Sequence, residues 1–237
     1  MDKKLDILYI VGSGSKENNE ELKYSLRSVD KFCKGVDRVF ITGICPNFIN
    51  KKKVIFTSCD DPYCRSMNHF YKVYTTFMTT DISDDCLLMY DDIFFCSKVD
   101  IRNYPSFYKG KISDKTDGAY GMCLFNTKRH LTNEILPCLD FGCHTPIIYN
   151  RNRFIALLDT FEQFKDDVYG ISPRCLYGNK YIETPTQLKE DVKIRTNRFG
   201  LDGSVKQTHC FSTGDFTYNV ARQWLYDNFM WKSRWEK

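Results

Sequence analysis

The apolar run Cys86-Leu87-Leu88-Met89-Tyr90 is broken by two adjacent carboxylates, Asp91-Asp92, and resumes at once as Ile93-Phe94-Phe95. Short continuous apolar runs are the pattern of strands covered on both faces. Two charges inside such a run cost free energy unless they are hydrogen-bonded, paired or bound to a metal. Open α/β sheets bind ligands in the crevice beyond the carboxyl ends of their strands, and the acidic pair falls at such an end. An arbitrary Asp-Asp step opens a turn or caps a helix. Here the residues that follow are apolar and extended, which favours a hard divalent cation held by Asp91 and Asp92. Such a cation, Mn2+ or Mg2+, bridges the phosphates of a nucleotide diphosphate and stabilises the charge that develops as it leaves.

The rest of the chain supplies the sheet that this reading needs. Leu5–Val11 is a second near-continuous apolar run, ending at the loop Gly12-Ser13-Gly14-Ser15. Asn18 and Asn19 are placed to cap a helix whose apolar positions Leu22, Leu26, Val29 and Cys33 follow helical spacing, and Gly35 stops it. Strands are predicted over 38–42 and 53–57, a helix over 68–80, a strand over 118–125, a loop over 141–149 and a helix over 151–164. A turn-rich stretch over 170–185 and a final amphipathic helix complete the order. The β-α-β-β start implies a parallel core.

Composition narrows the class. A chain of 237 residues with 42% hydrophobic content buries a full core in one domain. No run of about 18 apolar residues occurs, and Met1-Asp2-Lys3-Lys4 leads straight into a strand, so the expectation is a soluble, cytoplasmic protein without a transmembrane segment. The eleven cysteines are odd in number and include no CxxC pair, and several lie in apolar runs such as Cys86-Leu87-Leu88, which fits reduced thiols. The looser sets Cys59, Cys64, His69 and Cys138, Cys143, His144 fit core thiols beside a histidine better than a metal site. A net charge of +4 with scattered basic residues does not diagnose a nucleic-acid binder, and permits an anionic donor or acceptor.

The segment Asn19–Lys31, continued by Val36–Thr42, resembles the "NELRYSLRSIEK…VRKIFIVTD" block of the Stealth family of capsular-polysaccharide and lysosomal-targeting sugar-phosphate transferases. Asp6-Ile7-Leu8-Tyr9 is similar to that family's "DIVYTWV" strand, Leu88–Phe95 to its "YLNDDFFF" segment, and Cys143-His144-Thr145-Pro146 to its His-x-Pro element. The chain departs from the pattern where Tyr90 stands for the family's Asn and where Gly12-Ser13-Gly14 stands for its "VDGSDP"-like loop. The resemblance implies a GT-A-like, Rossmann-like α/β fold: a mixed, mostly parallel sheet flanked by helices in a single domain. Residues 1–100 would form the nucleotide-binding half and 101–237 the acceptor-binding half.

It also implies roles. Val11 and Gly12 at the end of the first strand, Arg27 on the first helix, and Arg65 and Asn68 at the start of the second would bind the nucleotide-sugar donor, a UDP-sugar foremost, with Asp91. His144, a loop histidine, would take the proton of an acceptor hydroxyl, beside Asp92 as the other catalytic residue. His209 would return as a third metal ligand. Arg151, Arg153 and Trp224 would contact the acceptor. The transferred group is a sugar or a sugar-1-phosphate, and the acceptor a polysaccharide or another hydroxyl, including a hydroxylated base in DNA. Two other classes share these features: a metal-dependent phosphodiesterase or nuclease, which four histidines supply poorly, and an inactive carbohydrate-binding descendant. The closing stretch Ala221–Trp235 spaces aromatics between basic residues, which fits core packing or a platform for acceptor, membrane surface or nucleic acid.

Overall fold

Every residue of β1 (Leu5–Val11) is buried, because the strand is central in its sheet and covered on both faces. The computed structural model describes residues 4–13, 15, 18–195, 200–201, 203–214 and 217–237; Met1, Asp2, Lys3 and Gly14 lie outside the described residues. After β1 come α1 (Glu20–Phe32), β2 (Cys33–Lys34), β3 (Val36–Gly43), β4 (Ile55–Ser58), α2 (Arg65–Thr79), β5 (Asp85–Tyr90), β6 (Ile93–Phe95), β7 (Val99–Asp100) and β8 (Phe107–Tyr108). The second part runs through α3 (Gly118–Asn133), β9 (Ile147–Asn150), α4 (Arg151–Ile155), α5 (Leu158–Phe164), α6 (Pro173–Tyr181), β10 (Thr186–Gln187), α7 (Ser204–Thr208), β11 (Cys210–Ser212) and α8 (Tyr218–Asn228).

The main sheet has five strands in the order β4-β3-β1-β5-β9. β1 pairs in parallel with β3 and β5, β3 in parallel with β4, and β9 closes the edge antiparallel to β5. The side-chain period of two divides β1 between two cores. Ile7, Tyr9 and Val11 pack with α1, β6, β11 and α8, whereas Leu8 and Ile10 pack with α2 and the helices α4 to α6. This is the mixed, mostly parallel α/β sheet flanked by helices that the sequence predicts. No helix of the described residues is long and apolar enough to cross a membrane.

Several local expectations fail, each for a physical reason. Asn19 adopts a left-handed conformation and its side chain caps nothing, so α1 starts without the predicted cap. The predicted strand over 118–125 is the first half of α3: Cys123, Leu124, Thr127 and Leu131 are buried at helical spacing, and a short apolar run does not distinguish the two periods. The loop over 141–149 contains most of β9, and the helix over 151–164 is two helices that meet at Ala156 and Leu157. The turn-rich stretch holds α6, started by Ser172, whose hydroxyl accepts from Cys175 N at 3.3 Å, with Pro173 in the first turn. Gly178 gives α6 its close approach to the loop before β9, since a Cβ there would collide with the Phe141 ring.

Candidate active site

Parallel strands of one sheet end at one edge, so Val11, Gly43, Ser58 and Tyr90 come together there, with Asp91-Asp92 as the turn between β5 and β6. α1 fixes that turn. Tyr9 donates its hydroxyl to Ser25 Oγ at 2.9 Å, Ser25 Oγ donates to Ile93 O at 2.6 Å, and Phe95 N donates to Ser28 Oγ at 2.9 Å. From the other side β11 lies antiparallel to β6 with Ser212 opposite Ile93. Ser212 Oγ donates to Asp92 Oδ2 at 3.1 Å and Thr213 N to Asp92 O at 3.1 Å. The second carboxylate is thus oriented by the backbone and hydroxyl of a segment about 120 residues away.

Asp91 and Asp92 line a cavity of about 880 Å3. Burial, the neighbouring Asp92 charge and Glu21 together push the Asp91 carboxyl up to about 7. One wall is α2, whose polar stripe Arg65, Asn68, His69 and Lys72 repeats at three and four residues along the helix. A second is the end of β1 with Gly12 and Ser13. The third is the extended segment Lys193-Ile194-Arg195, tied to β11 by the bond from Ile194 N to Ser212 O at 2.8 Å.

Lys72 is almost wholly buried in this wall. Its ammonium donates to Val11 O at 3.0 Å and meets Asp61 Oδ1 at 2.5 Å, tying α2 to the end of β1. His69 is held on both nitrogens, by Tyr90 Oη at 2.7 Å on Nδ1 and Tyr149 Oη at 3.4 Å on Nε2. Burial and the nearby Arg174 guanidinium lower its pKa to about 3, so His69 is a neutral group throughout the physiological range.

Of the residues singled out in the sequence, Gly12, Arg65, Asn68, Asp91 and Asp92 meet at this cavity. Asn68 spends its amide on Tyr63, accepting from Tyr63 N at 2.9 Å and donating to Tyr63 O at 2.6 Å, and so shapes the loop before α2. Val11 does not line the cavity: its side chain is buried in the core and its carbonyl accepts from Lys72 Nζ and Ile44 N. The others lie elsewhere. Arg27 is buried against the C-terminal segment, paired with Glu236 at 2.7 and 2.8 Å, and donates to Phe229 O at 2.8 Å. His209 sits one residue before β11, beyond the Cys210–Phe95 pair, so the strands hold it at the opposite end from Asp92, where its Nδ1 meets Ser97 Oγ at 2.7 Å. Thr213, not His209, is the residue beside Asp92. Arg151 and Arg153 follow β9 at the far edge of the sheet, where Asn150 pairs with Asp85. Arg151 contacts Thr80 O, Ile82 O and Asp84 there, and Arg153 donates to Tyr181 O at 3.2 Å. Trp224 packs edge-on against Phe211 and Phe229.

His144 stands behind the third wall. Its Nδ1 lies 2.9 Å from Asp191 Oδ2, and the same carboxylate oxygen accepts from Arg195, which lines the cavity, at 3.2 Å. Asp191, Lys72, Lys193 and Arg195 escaped sequence reasoning. The α2 stripe could have revealed Lys72, because polar residues at 65, 68, 69 and 72 share one helix face. Lys193 and Arg195 carry only a period of two within a loop-like stretch, which no local signal separates from solvated charge.

No family model matches the chain, and no curated protein matches it in sequence. A crystal structure of mouse xyloside xylosyltransferase 1 in its apo form is similar at 9% identity and a TM-score of 0.41, over 78% of this chain and 85% of that one. The Stealth resemblance stands on the quoted segments alone. Most of its first block is the packed face of α1, with Leu22, Tyr24, Ser25, Leu26, Arg27, Ser28 and Val29 buried.

Proposed function

We propose that this protein is a metal-dependent nucleotide-sugar transferase of GT-A type. The observation that carries the reading is the Asp91-Asp92 turn at the carboxyl end of β5, braced by Ser212 and facing a cavity walled by Arg65, Lys193 and Arg195. Among the described residues no three His, Cys, Asp or Glu side chains are grouped to hold a metal ion. Two carboxylates suffice for a hard cation that takes its other ligands from water and phosphate, as Mg2+ and Mn2+ do. Thr213 adds a buried hydroxyl that has no hydrogen-bond partner among the described residues, so the donor set is all oxygen. Asp91 and Asp92 would hold the ion, which when bound neutralises phosphate charge.

In this reading Arg65, Lys193 and Arg195 bind the donor phosphates, and the Gly12-Ser13 turn and α1 flank the nucleoside, of a UDP-sugar foremost. His144, oriented by Asp191, receives the acceptor proton on Nε2. Four acidic and four basic side chains share the cavity wall among the described residues: Glu21, Asp61, Asp91 and Asp92 against Arg65, Lys72, Lys193 and Arg195. That balance favours a polysaccharide or other neutral hydroxyl acceptor over DNA, whose backbone needs a predominantly basic groove.

Donor hydrolysis with UDP-, GDP-, CMP- and dTDP-sugars, with Mn2+ or with EDTA, tests the reading. Metal-dependent release of UDP marks sugar transfer and release of UMP marks sugar-1-phosphate transfer; both should disappear in Asp92→Ala. Absence of donor binding and turnover with either metal would sink it.

A further inference from the structure

Arg174 is a buried cation with no carboxylate beside it. Its side chain follows Pro173 in the first turn of α6, is 5% exposed, and pairs with no Asp or Glu among the described residues. Burying a charge without an opposite charge costs free energy, and the positive end of the helix dipole adds to that cost. An apolar side chain of similar volume would fill the space without it.

The contacts that Arg174 makes lie on two parts of the site. Its Nε donates to Phe141 O at 3.1 Å and its Nη1 to Thr145 O at 2.8 Å, which grips the loop of His144 on both sides of the histidine. The same guanidinium stands 5.7 Å from the centre of the Tyr90 ring and hydrogen-bonds the Tyr90 side chain. Tyr90 lines the cavity, immediately precedes Asp91, and meets His69 Nδ1 at 2.7 Å. One planar group thus joins the loop that carries His144 to the strand end that carries the acidic turn. Lys, a point charge on a flexible stem, does not reproduce that fork. Asp191 orients the His144 ring, and Arg174 fixes the backbone on either side of it.

We propose that Arg174 is a positioning residue: by tying the 141–145 loop to Tyr90, it sets where His144 stands relative to the Asp91-Asp92 turn. The proposal rests on the transferase reading, with His144 as the base. The test is a double-mutant cycle on hydrolysis, with Mn2+, of whichever UDP-, GDP-, CMP- or dTDP-sugar wild type turns over fastest. Arg174→Lys should lower kcat about tenfold, because a misplaced catalytic group costs rate rather than affinity. Binding of the released nucleotide with Mn2+, measured by titration calorimetry, should stay as in wild type. In a His144→Ala background Arg174→Lys should cost nothing further, since residues that act as a unit are not additive. Tyr90→Phe keeps the ring and removes the hydroxyl; it should lower kcat by a smaller factor with the same lack of additivity. It carries the cycle if circular dichroism shows Arg174→Lys unfolded. Losses that multiply with that of His144→Ala, an unchanged kcat in both variants, or nucleotide binding that weakens in step with kcat would overturn the proposal and leave the transferase reading in place. Absence of turnover by wild type overturns both.

Discussion

His144 Nδ1 lies 2.9 Å from Asp191 Oδ2, and Asp191 also accepts the His144 backbone N–H at 3.3 Å. Two contacts to one carboxylate fix both the ring and the loop that carries it, and leave Nε2 as the nitrogen able to take a proton. Burial alone would raise the Asp191 pKa, but the hydrogen bond and charge of His144, with Lys109, hold it well below the ordinary carboxylate range. Asp191 therefore stays charged wherever the protein is folded and active. As a positioning residue it should matter through His144: His144→Ala should lower kcat by about a hundredfold. Asp191→Asn should lower kcat less, with a shifted pH–rate profile and little change in donor KM, as steady-state kinetics across pH would register.

Asp92 is held by Ser212 rather than by a neighbour in sequence. Ser212→Ala leaves both carboxylates in place and removes the hydroxyl that orients Asp92 and that also lies within hydrogen-bond reach of Thr213 O. It should weaken Mn2+ affinity in the presence of nucleotide by about tenfold, measured by titration calorimetry or by the metal dependence of donor hydrolysis. Unchanged metal affinity would mean that Asp92 needs no such brace.

The Arg27–Glu236 pair is buried on both partners, with side-chain exposures of 9% and 2%. Glu236→Gln or Arg27→Ala strands a buried group and should cost about 3 kcal/mol of stability, seen in chemical denaturation. Neither change should alter donor KM once the protein is folded, which separates the structural role found here from the phosphate contact that the sequence implies for Arg27.

Asp6 anchors the opposite edge of the sheet. Its burial would raise the carboxyl pKa, but Arg38 and the backbone and hydroxyl of Ser83 hold it lowered. A depressed folded pKa contributes stability that is fully present above the ordinary carboxylate value and is lost as pH falls through the lowered one. Unfolding free energy should therefore drop between neutral pH and about pH 3, with Asp191 contributing in the same direction. The Asp6→Asn variant should be less stable at pH 7 and show a flatter acid limb in urea titrations.

The strand Leu5–Val11, the run Cys86–Tyr90 and the position of the acidic pair after it are legible in the sequence because a doubly covered strand has a purely local signature, an unbroken apolar run; that the pair itself forms a turn is not. Helical spacing likewise reveals α1 and α2. It does not tell a ligand contact from a core contact: the same residue type served Arg65 at the cavity and Arg27 against Glu236. Gly118–Phe125 and Gly170–Pro185 form helices that the sequence does not reveal, because a short apolar run, or a Gly- and Pro-bearing stretch, carries no unambiguous period.

Local pattern is enough to fix where buried strands must end and that two carboxylates stand at one of those ends. Which distant residues face them is set by long-range packing. β11 pairs with β6 in a register that sets Ser212 and Thr213 beside Asp92 and carries His209 to the far end. Register between strands more than a hundred residues apart is chosen by the packing of both faces at once, and no local pattern encodes it.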